Sequence, residues 1–520
     1  MSATSAPPGA ATSSKGLKAN ALGLASSIVI ATASVAPAYS LAASLGLVVA
    51  GVGAQAPIVM LLAFVPMLFI AFGYQGLNEI DPDCGTTFTW GARVFGPKTG
   101  WMGGWAIIVA DVIVMANLAQ IAGQYGFQLV GAYGLAASTG WSEVAGIVWI
   151  ALMTLICYLG IEVSARMQIA LLSIELLMLG VLSITALAKV YSGHGIHGSL
   201  HVSASWFNPF NIGSFSALTL GLLTAIFIYW GWDTAVSVNE ETRDRSKTPG
   251  RAAVLSTVLL LVTYGLVTVS AQAFAGVGTT GAGLANANNS GDVLSGLGGE
   301  VFGTVGFGWF LSKLLVLMVL TSASASTQTT IMPTARTALS MADHRGIPSA
   351  FARIHPRFRT PTWSTVGMGL ASIAFYALLS KISTNVLSDS ISSLGLAIAF
   401  YYGLTGFACA WHFAPQAFRS TQRTLWLRFV LPLLGALILF TFFVYGAYQF
   451  WNPAYGYTQW HMPFPPHWII GGVFLTGVGA LVLGIPLMYI YRALRPAFFR
   501  GEVIRRGTWP ESAEPADQRE

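Results

Sequence analysis

The sequence predicts an all-α integral membrane protein with twelve transmembrane helices. Three observations predict it. Of 520 residues only 9% are Asp, Glu, Lys or Arg, and 54% are hydrophobic, whereas ordinary soluble domains carry about 25% charge. Apolar stretches of about 20 residues, the length that crosses a bilayer, recur along the whole chain. The basic residues also sort to one side of those stretches, as the positive-inside rule requires. So little charge cannot cover a soluble surface of this size. The composition therefore excludes a soluble enzyme, a disordered protein and a nucleic-acid binder, and leaves the lipid bilayer as solvent. The net charge of +6 then reads as basic loops rather than as a surface for an acidic partner.

In chain order, residues 1–18 read as a disordered cytoplasmic tail. No cleavable signal peptide is expected, because the first apolar stretch is too long for one. The twelve spans fall near 20–50, 55–74, 101–129, 142–160, 167–190 and 212–238, then 252–275, 305–334, 362–380, 392–413, 425–448 and 468–491. An even count puts both termini on one side. With that side cytoplasmic, 23 of the 26 Lys and Arg fall in inner segments, and Lys189, Lys313 and Lys381 fall elsewhere. A missed span would scramble this segregation. The ten spans of residues 19–413 form the expected transport core. Two peripheral helices (414–495) and a cytoplasmic tail (496–520) follow. The outer loops include aromatic and Gly/Asn-rich stretches, 455–460 and 281–291. Cys84, Cys157 and Cys409 are far apart and suggest no disulfide framework.

Two spans carry helix breakers at membrane depth. Pro37, in Ala33-Ser34-Val35-Ala36-Pro37-Ala38-Tyr39-Ser40, lacks an N–H and clashes with the carbonyl of Ala33. Gly231 interrupts Phe227-Ile228-Tyr229-Trp230-Gly231-Trp232-Asp233 in span six. Unwound backbone is tolerated in a bilayer where it is buried in protein or lines a cavity. Breaks five spans apart are the signature of inverted repeats meeting at a central site, here residues 19–190 and 212–413. The free N–H groups at the start of the second half of span one would hold an anion. Carbonyls freed around residues 31–33 and 227–230 would hold an ammonium or cation. A zwitterionic amino acid fits both poles. A plain proline kink is the competing reading of the first break.

Three stretches resemble the amino acid–polyamine–organocation superfamily of permeases. They are the Ser34-Val35-Ala36-Pro37 break; the run Pro82-Asp83-Cys84-Gly85-Thr86-Thr87-Phe88-Thr89-Trp90 through Phe95-Gly96-Pro97 to Gly104-Trp105; and Arg336 through Met341-Ala342-Asp343, Gly346-Ile347-Pro348, His355-Pro356 and Thr360-Pro361. The resemblance implies two inverted five-helix repeats (the leucine-transporter-type fold) plus two peripheral helices. It also implies transport of amino acids or related amines, usually driven by protons. Carried over residue by residue, it points to Ser34, Ala36, Ala38, Tyr39, Phe227, Tyr229, Trp230 and Gly231 as substrate contacts. The family's Gly-rich motif in span one is replaced here by Ser-Val-Ala-Pro.

An ionisable residue inside a span is functional by default, because its burial is costly. Asp233, just past the span-six break, feels a half-helix N-terminus that favours the carboxylate and burial that favours the acid. It is the first candidate for proton coupling, against a structural hydrogen bond to nearby Thr or backbone. Asp111 in span three either meets a substrate amine or sits in a polar face with Asn117 and Gln120. Glu175 in span five either relays protons or pairs structurally with Lys313 or the Ser-rich face of span eight. Lys313 would otherwise snorkel outward. Ser322 and Ser326 offer a candidate cation site against span-one carbonyls, with sodium less expected than protons; small Ser residues are also ordinary packing contacts. His194, His197 and His201 are too loosely spaced for a metal site, and no cofactor motif is present. Glu240 and Glu241, with Arg243, Arg245, Lys247 and Arg251, form either a bland cytoplasmic charge cluster or an inner gate with the loop near Arg93. A membrane-embedded enzyme would need a buried His–Asp pair or nucleophile, and His412 has no evident partner. A channel would need a ring of like charges, which is absent.

Overall fold

The computed structural model describes residues 15–289, 292–382, 385–419, 421–462 and 464–510, so parts of both predicted tails lie outside the described residues. The fold is helical apart from one short β-hairpin. Span one is two helices, α1 (Leu24–Val35) and α2 (Pro37–Val52), followed by α3 (Ala56–Ile80), the short α4 (Thr87–Phe95), α5 (Pro97–Leu129), α6 (Thr139–Leu159) and α7 (Ile161–Tyr191). Span six is α8 (Phe215–Ile228) and the single turn α9 (Thr234–Ser237). Beyond it come α10 (Thr248–Ala275), α11 (Val293–Phe302), α12 (Gly306–Asp343), α13 (Thr362–Ile382), α14 (Val386–Ala417), α15 (Leu431–Trp451) and α16 (Ala480–Leu494).

Ten helical stretches among the described residues are long and apolar enough to cross a membrane. The 57-residue stretch Leu24–Ile80 holds α1, α2 and α3 together, and α8 is shorter than the others. Exposed apolar residues run at helical spacing along α6, at Val144, Val148, Leu152, Leu155 and Leu159. A lipid-facing stripe looks like this, with the polar face turned inward.

Packing places α5 and α14 at the centre. Their most apolar windows are 83% buried, against 22% for the stretch containing α15 and 28% for that containing α16. Helix α5 packs on α12, α14 and α6, and α1 packs on α7, α10 and α12. Helix α12 runs past the predicted end at residue 334 to Asp343, because its extra turns bury Arg336 and Leu339.

Two elements were not predicted. The Gly/Asn-rich loop leads into α11, where Asp292 caps the helix by accepting from the Ser295 N–H at 3.2 Å and from the Tyr125 hydroxyl. The aromatic loop forms an antiparallel hairpin of β1 (Gln459–His461) and β2 (Ile469–Gly471), with Trp460 opposite Ile470.

Candidate functional site

The two breaks meet. Helix α1 ends in left-handed backbone at Ala36 (φ 51°, ψ 68°), and Pro37 opens α2. Proline suits a first helical position, where its missing N–H costs nothing. In span six the last amides of α8 tighten, Tyr229 N–H to Ile226 O and Trp230 N–H to Phe227 O, both at 3.1 Å. Gly231 then turns the chain at φ +115°, a conformation side chains resist. A Cβ there would lie 3.0 Å from the Ser34 carbonyl carbon, carbonyl oxygen and Oγ. Across this contact Ser34 Oγ and Thr234 Oγ1 are 2.8 Å apart, and Thr234 donates to Thr329 O at 3.2 Å. The chain is unwound in both spans at one point, deep in the bundle.

The predicted substrate contacts Ser34, Ala36, Ala38, Tyr39, Phe227, Tyr229, Trp230 and Gly231 are all buried around this point. Tyr39 and Phe227 meet edge to face, ring centroids 6.1 Å apart. Tyr39 donates to Asn117, and Asn117 donates to Ser390 Oγ at 2.9 Å. Trp230 Nε1 donates to the Tyr401 hydroxyl.

Two sequence expectations need correction here. The start of α2 does not offer free donors to an anion. Proline leaves Ala38 and Tyr39 as the first-turn N–H groups, and both are taken: Ala38 N–H donates to Glu175 Oε1 at 2.7 Å, and Tyr39 N–H to Ser322 Oγ at 3.2 Å. Glu175 does not pair with Lys313. Its partners are Ala38 and the Ser322 hydroxyl, which donates to the same Oε1 at 2.7 Å, while Lys313 reaches Gln128 O at 2.9 Å and the Tyr133 hydroxyl at 3.1 Å. Of the two structural partners weighed from sequence, the Ser-rich face is the one used. The break extends past residues 31–33, since the Ala36 N–H turns to Ala33 O at 3.2 Å. Beyond them, the Ser34 and Val35 carbonyls accept from Ser326 Oγ at 2.8 Å and Ser40 Oγ at 2.6 Å. Ser322 and Ser326 thus spend their protons on Glu175 and Ser34.

Asp233 is buried and accepts from Tyr402 at 2.9 Å and Tyr401 at 3.1 Å. Its side chain does not cap α9, and its side-chain partners are the two tyrosines of α14. Asp111 accepts from Thr334 and lies within electrostatic reach of Asp233. The tyrosine pair was the missed signal: adjacent phenols inside a span need acceptors when buried.

The face carrying both described termini is closed by buried charge pairs. Lys15 Nζ lies 2.7 Å from Asp83 Oδ2 and 2.6 Å from Glu240 Oε1. Arg336 grips Glu241 with two bonds, of 2.9 and 3.0 Å, and Arg93 meets Asp81 at 2.6 Å. Glu240 and Glu241 therefore pair with Lys15 and Arg336, while Arg243, Arg245, Lys247 and Arg251 stay exposed. Burial works against the Lys15 charge, yet Asp83, Cys84 and Glu240 hold its pKa above the ordinary lysine value. Burial likewise works against Asp83, but the neighbouring Lys15 and His344, with hydrogen bonds from Lys15 and Ser340, hold its carboxyl below the usual range. Asp83, Cys84 and Glu240 are close enough to share a metal ion, but the Lys15 ammonium already reaches all three, lying 3.6 Å from Cys84 Sγ. His194, His197 and His201 are exposed, and His412 packs on Trp509.

A helical bundle with lipid-facing stripes and two interrupted helices meeting at its centre has the architecture of a polytopic membrane protein. The chain belongs to the amino acid permease family, whose model matches residues 22–475, within the amino acid–polyamine–organocation superfamily. Similar proteins include a branched-chain amino acid permease of Lactococcus lactis, 25% identical over 227 residues, covering 40% of this chain and 46% of that protein. An uncharacterized transporter of Mycobacterium tuberculosis is 25% identical over 330 residues, 62% and 64% of the two chains. A methylthioribose transporter of Bacillus subtilis is 24% identical over 357 residues, 64% and 70%. The matched region thus spans under two thirds of the first two of these relatives.

Proposed function

We propose that this chain is a secondary active transporter that moves amino acids or related amines across the cell membrane by alternating access, coupled to protons by symport or exchange. The observation that carries the reading is the apposition of the two breaks, Gly231 against Ser34, inside a shell of buried carboxylates and aromatic rings. Twelve crossings follow when Leu24–Ile80 counts as two and α8 with α9 as one. Residues 19–190 and 212–413 are then the two repeats, with α15 and α16 peripheral. The terminal face is cytoplasmic, since it gathers the Lys and Arg excess. Its ion pairs, Lys15 with Asp83 and Glu240 and Arg336 with Glu241, form the inner gate that must part for inward release.

Asp233 is the proton-linked group. It sits two residues past the turn at Gly231 and is tied to α14 by two phenols, so its protonation changes how span six is held to span ten. Glu175 links span five to the start of α2 in the same way. Protons are favoured over sodium because the buried carboxylates Asp233 and Glu175 can each carry one. A polyamine- or amine-specific antiporter is the second reading, favoured by three buried acids around the breaks, Asp111, Glu175 and Asp233.

In proteoliposomes, an inward proton gradient should accelerate uptake of at least one labelled amino acid or amine. Asp233→Asn should remove that acceleration while leaving gradient-free exchange measurable. Gradient-insensitive wild-type uptake would sink the coupling, and an unchanged pH profile in the variant would remove Asp233 from it.

A further inference from the structure

The cluster around Lys15 on the terminal face has the side chains of a metal site. Asp83, Cys84 and Glu240 each offer one ligand atom, and these atoms lie within 4.8 Å of one another. His344 adds a fourth, its Nε2 being 4.0 Å from Asp83 Oδ2. One thiol, one imidazole and two carboxylates suit a borderline ion of the zinc class rather than magnesium or calcium, which take oxygen.

The donors are also held from behind, as the ligands of a metal site are. His344 Nδ1 lies 3.0 Å from the Ser340 carbonyl. A carbonyl can only accept, so Nδ1 carries a proton and Nε2 is the nitrogen left to face Asp83. Asp83 Oδ1 accepts from the Gly85 N–H at 2.7 Å, Thr89 Oγ1 at 2.9 Å and Ser340 Oγ at 2.6 Å, which leaves Oδ2 for the cluster. Glu240 Oε1 accepts from the Cys84 N–H at 3.3 Å, and Glu240 Oε2 is buried without a hydrogen-bond partner. The Cys84 thiol has a weak bond to give up, to the Arg336 carbonyl at 3.5 Å.

In this conformation the Lys15 ammonium fills the middle, 2.7 Å from Asp83 Oδ2, 2.6 Å from Glu240 Oε1 and 3.6 Å from Cys84 Sγ. Its exchange for a divalent ion keeps the buried charge balanced. With His344 neutral, the ion enters as the ammonium swings out and the Cys84 thiol releases its proton to water, so two positive charges replace two. Asp83 and His344 are the least buried members, their side chains 12% and 14% exposed, and they give the ion its way in.

We propose that Asp83, Cys84, Glu240 and His344 form a binding site for a zinc-class divalent ion, which exchanges for the Lys15 ammonium. The donors come from the turn after α3, the turn after α9 and the C-terminal end of α12. An ion bound to all four ties together three segments that the inner gate must part, so it holds that face shut and slows transport. This consequence rests on the transporter reading above; binding of the ion does not.

The test uses the full chain in detergent and Cd2+, whose bond to a thiolate gives an ultraviolet charge-transfer band. The wild type should show a saturable band that Zn2+ removes. Cys84→Ser, which keeps Cys157, Cys409 and the exposed loop histidines, should lose it. Lys15→Met removes the competing ammonium and should tighten binding about tenfold or more, given the strength of a charge–charge contact at this range. No band in the wild type, or one that persists in Cys84→Ser, overturns the site; equal affinity in Lys15→Met overturns the exchange. His344→Gln should weaken binding about tenfold or more and stands in for Cys84→Ser if that variant fails to fold; unchanged affinity there counts against the site. In proteoliposomes, Zn2+ that reaches the terminal face should slow wild-type transport and leave Cys84→Ser unslowed. Unslowed wild-type transport overturns the gating consequence, whereas movement of no compound overturns the transporter reading and leaves the metal site to be decided by the band.

Discussion

Arg336→Met will strongly destabilise the protein, by about 3–5 kcal/mol, the cost of leaving one partner of a buried pair uncompensated. The guanidinium is 3% exposed and Glu241 is 1% exposed, so water cannot take over the lost bonds. Glu241 sits in the short turn after span six, where the backbone also holds the start of the chain: Ala21 and Leu22 N–H groups donate to the Glu241 carbonyl at 2.8 and 3.1 Å. Loss of the arginine therefore loosens the whole terminal face. Thermal melting of the detergent-purified protein should show a large fall in midpoint. The double variant Arg336→Met with Glu241→Leu should recover much of it, because an apolar pair of similar volume leaves no unpaired charge. A single variant that melts like wild type would mean that the pair is not buried as described.

Gly231→Ala should abolish or severely reduce transport while the protein still folds. The added Cβ meets backbone atoms of Ser34 at 3.0 Å, and backbone cannot step aside as a flexible side chain can. The φ of +115° adds strain of roughly 1–3 kcal/mol for a residue with a side chain. The least costly relief is to separate the two breaks. A loss of about tenfold or more follows from energies of that size. Gly180→Ala, in α7 with open space around it, is the matched control and should transport normally.

How far the sequence reveals this arrangement depends on how local each cause is. The breaks at Pro37 and Gly231 are legible because missing N–H groups and positive φ are properties of single residues. The lipid-embedded fold is legible because the scarcity of charge is global. Glu175 is different. Its place on span five marks it as costly, but its bond to the Ala38 N–H depends on how α7 packs against the start of α2, which no spacing encodes. The same holds for Asp233, whose acceptor role is set by Tyr401 and Tyr402 on a helix some 170 residues away. Lys15 reads as part of a polar tail and instead bridges Asp83 and Glu240, contacts 68 and 225 residues distant. The arginines that follow Glu240-Glu241 remain at the surface, while the buried partners of these acids, Lys15 and Arg336, arrive from other segments.

The central claim is that the paired breaks form the substrate site of a transporter. Counterflow tests it most directly, since it needs no ion gradient and so is independent of coupling. Proteoliposomes preloaded with unlabelled amino acids or amines are diluted into the labelled compound, and internal label is followed for wild type, Gly231→Ala and Gly180→Ala. The account predicts a transient overshoot for at least one compound with wild type and Gly180→Ala, and none with Gly231→Ala. An equal overshoot in Gly231→Ala, or no overshoot for any compound with wild type, would contradict it.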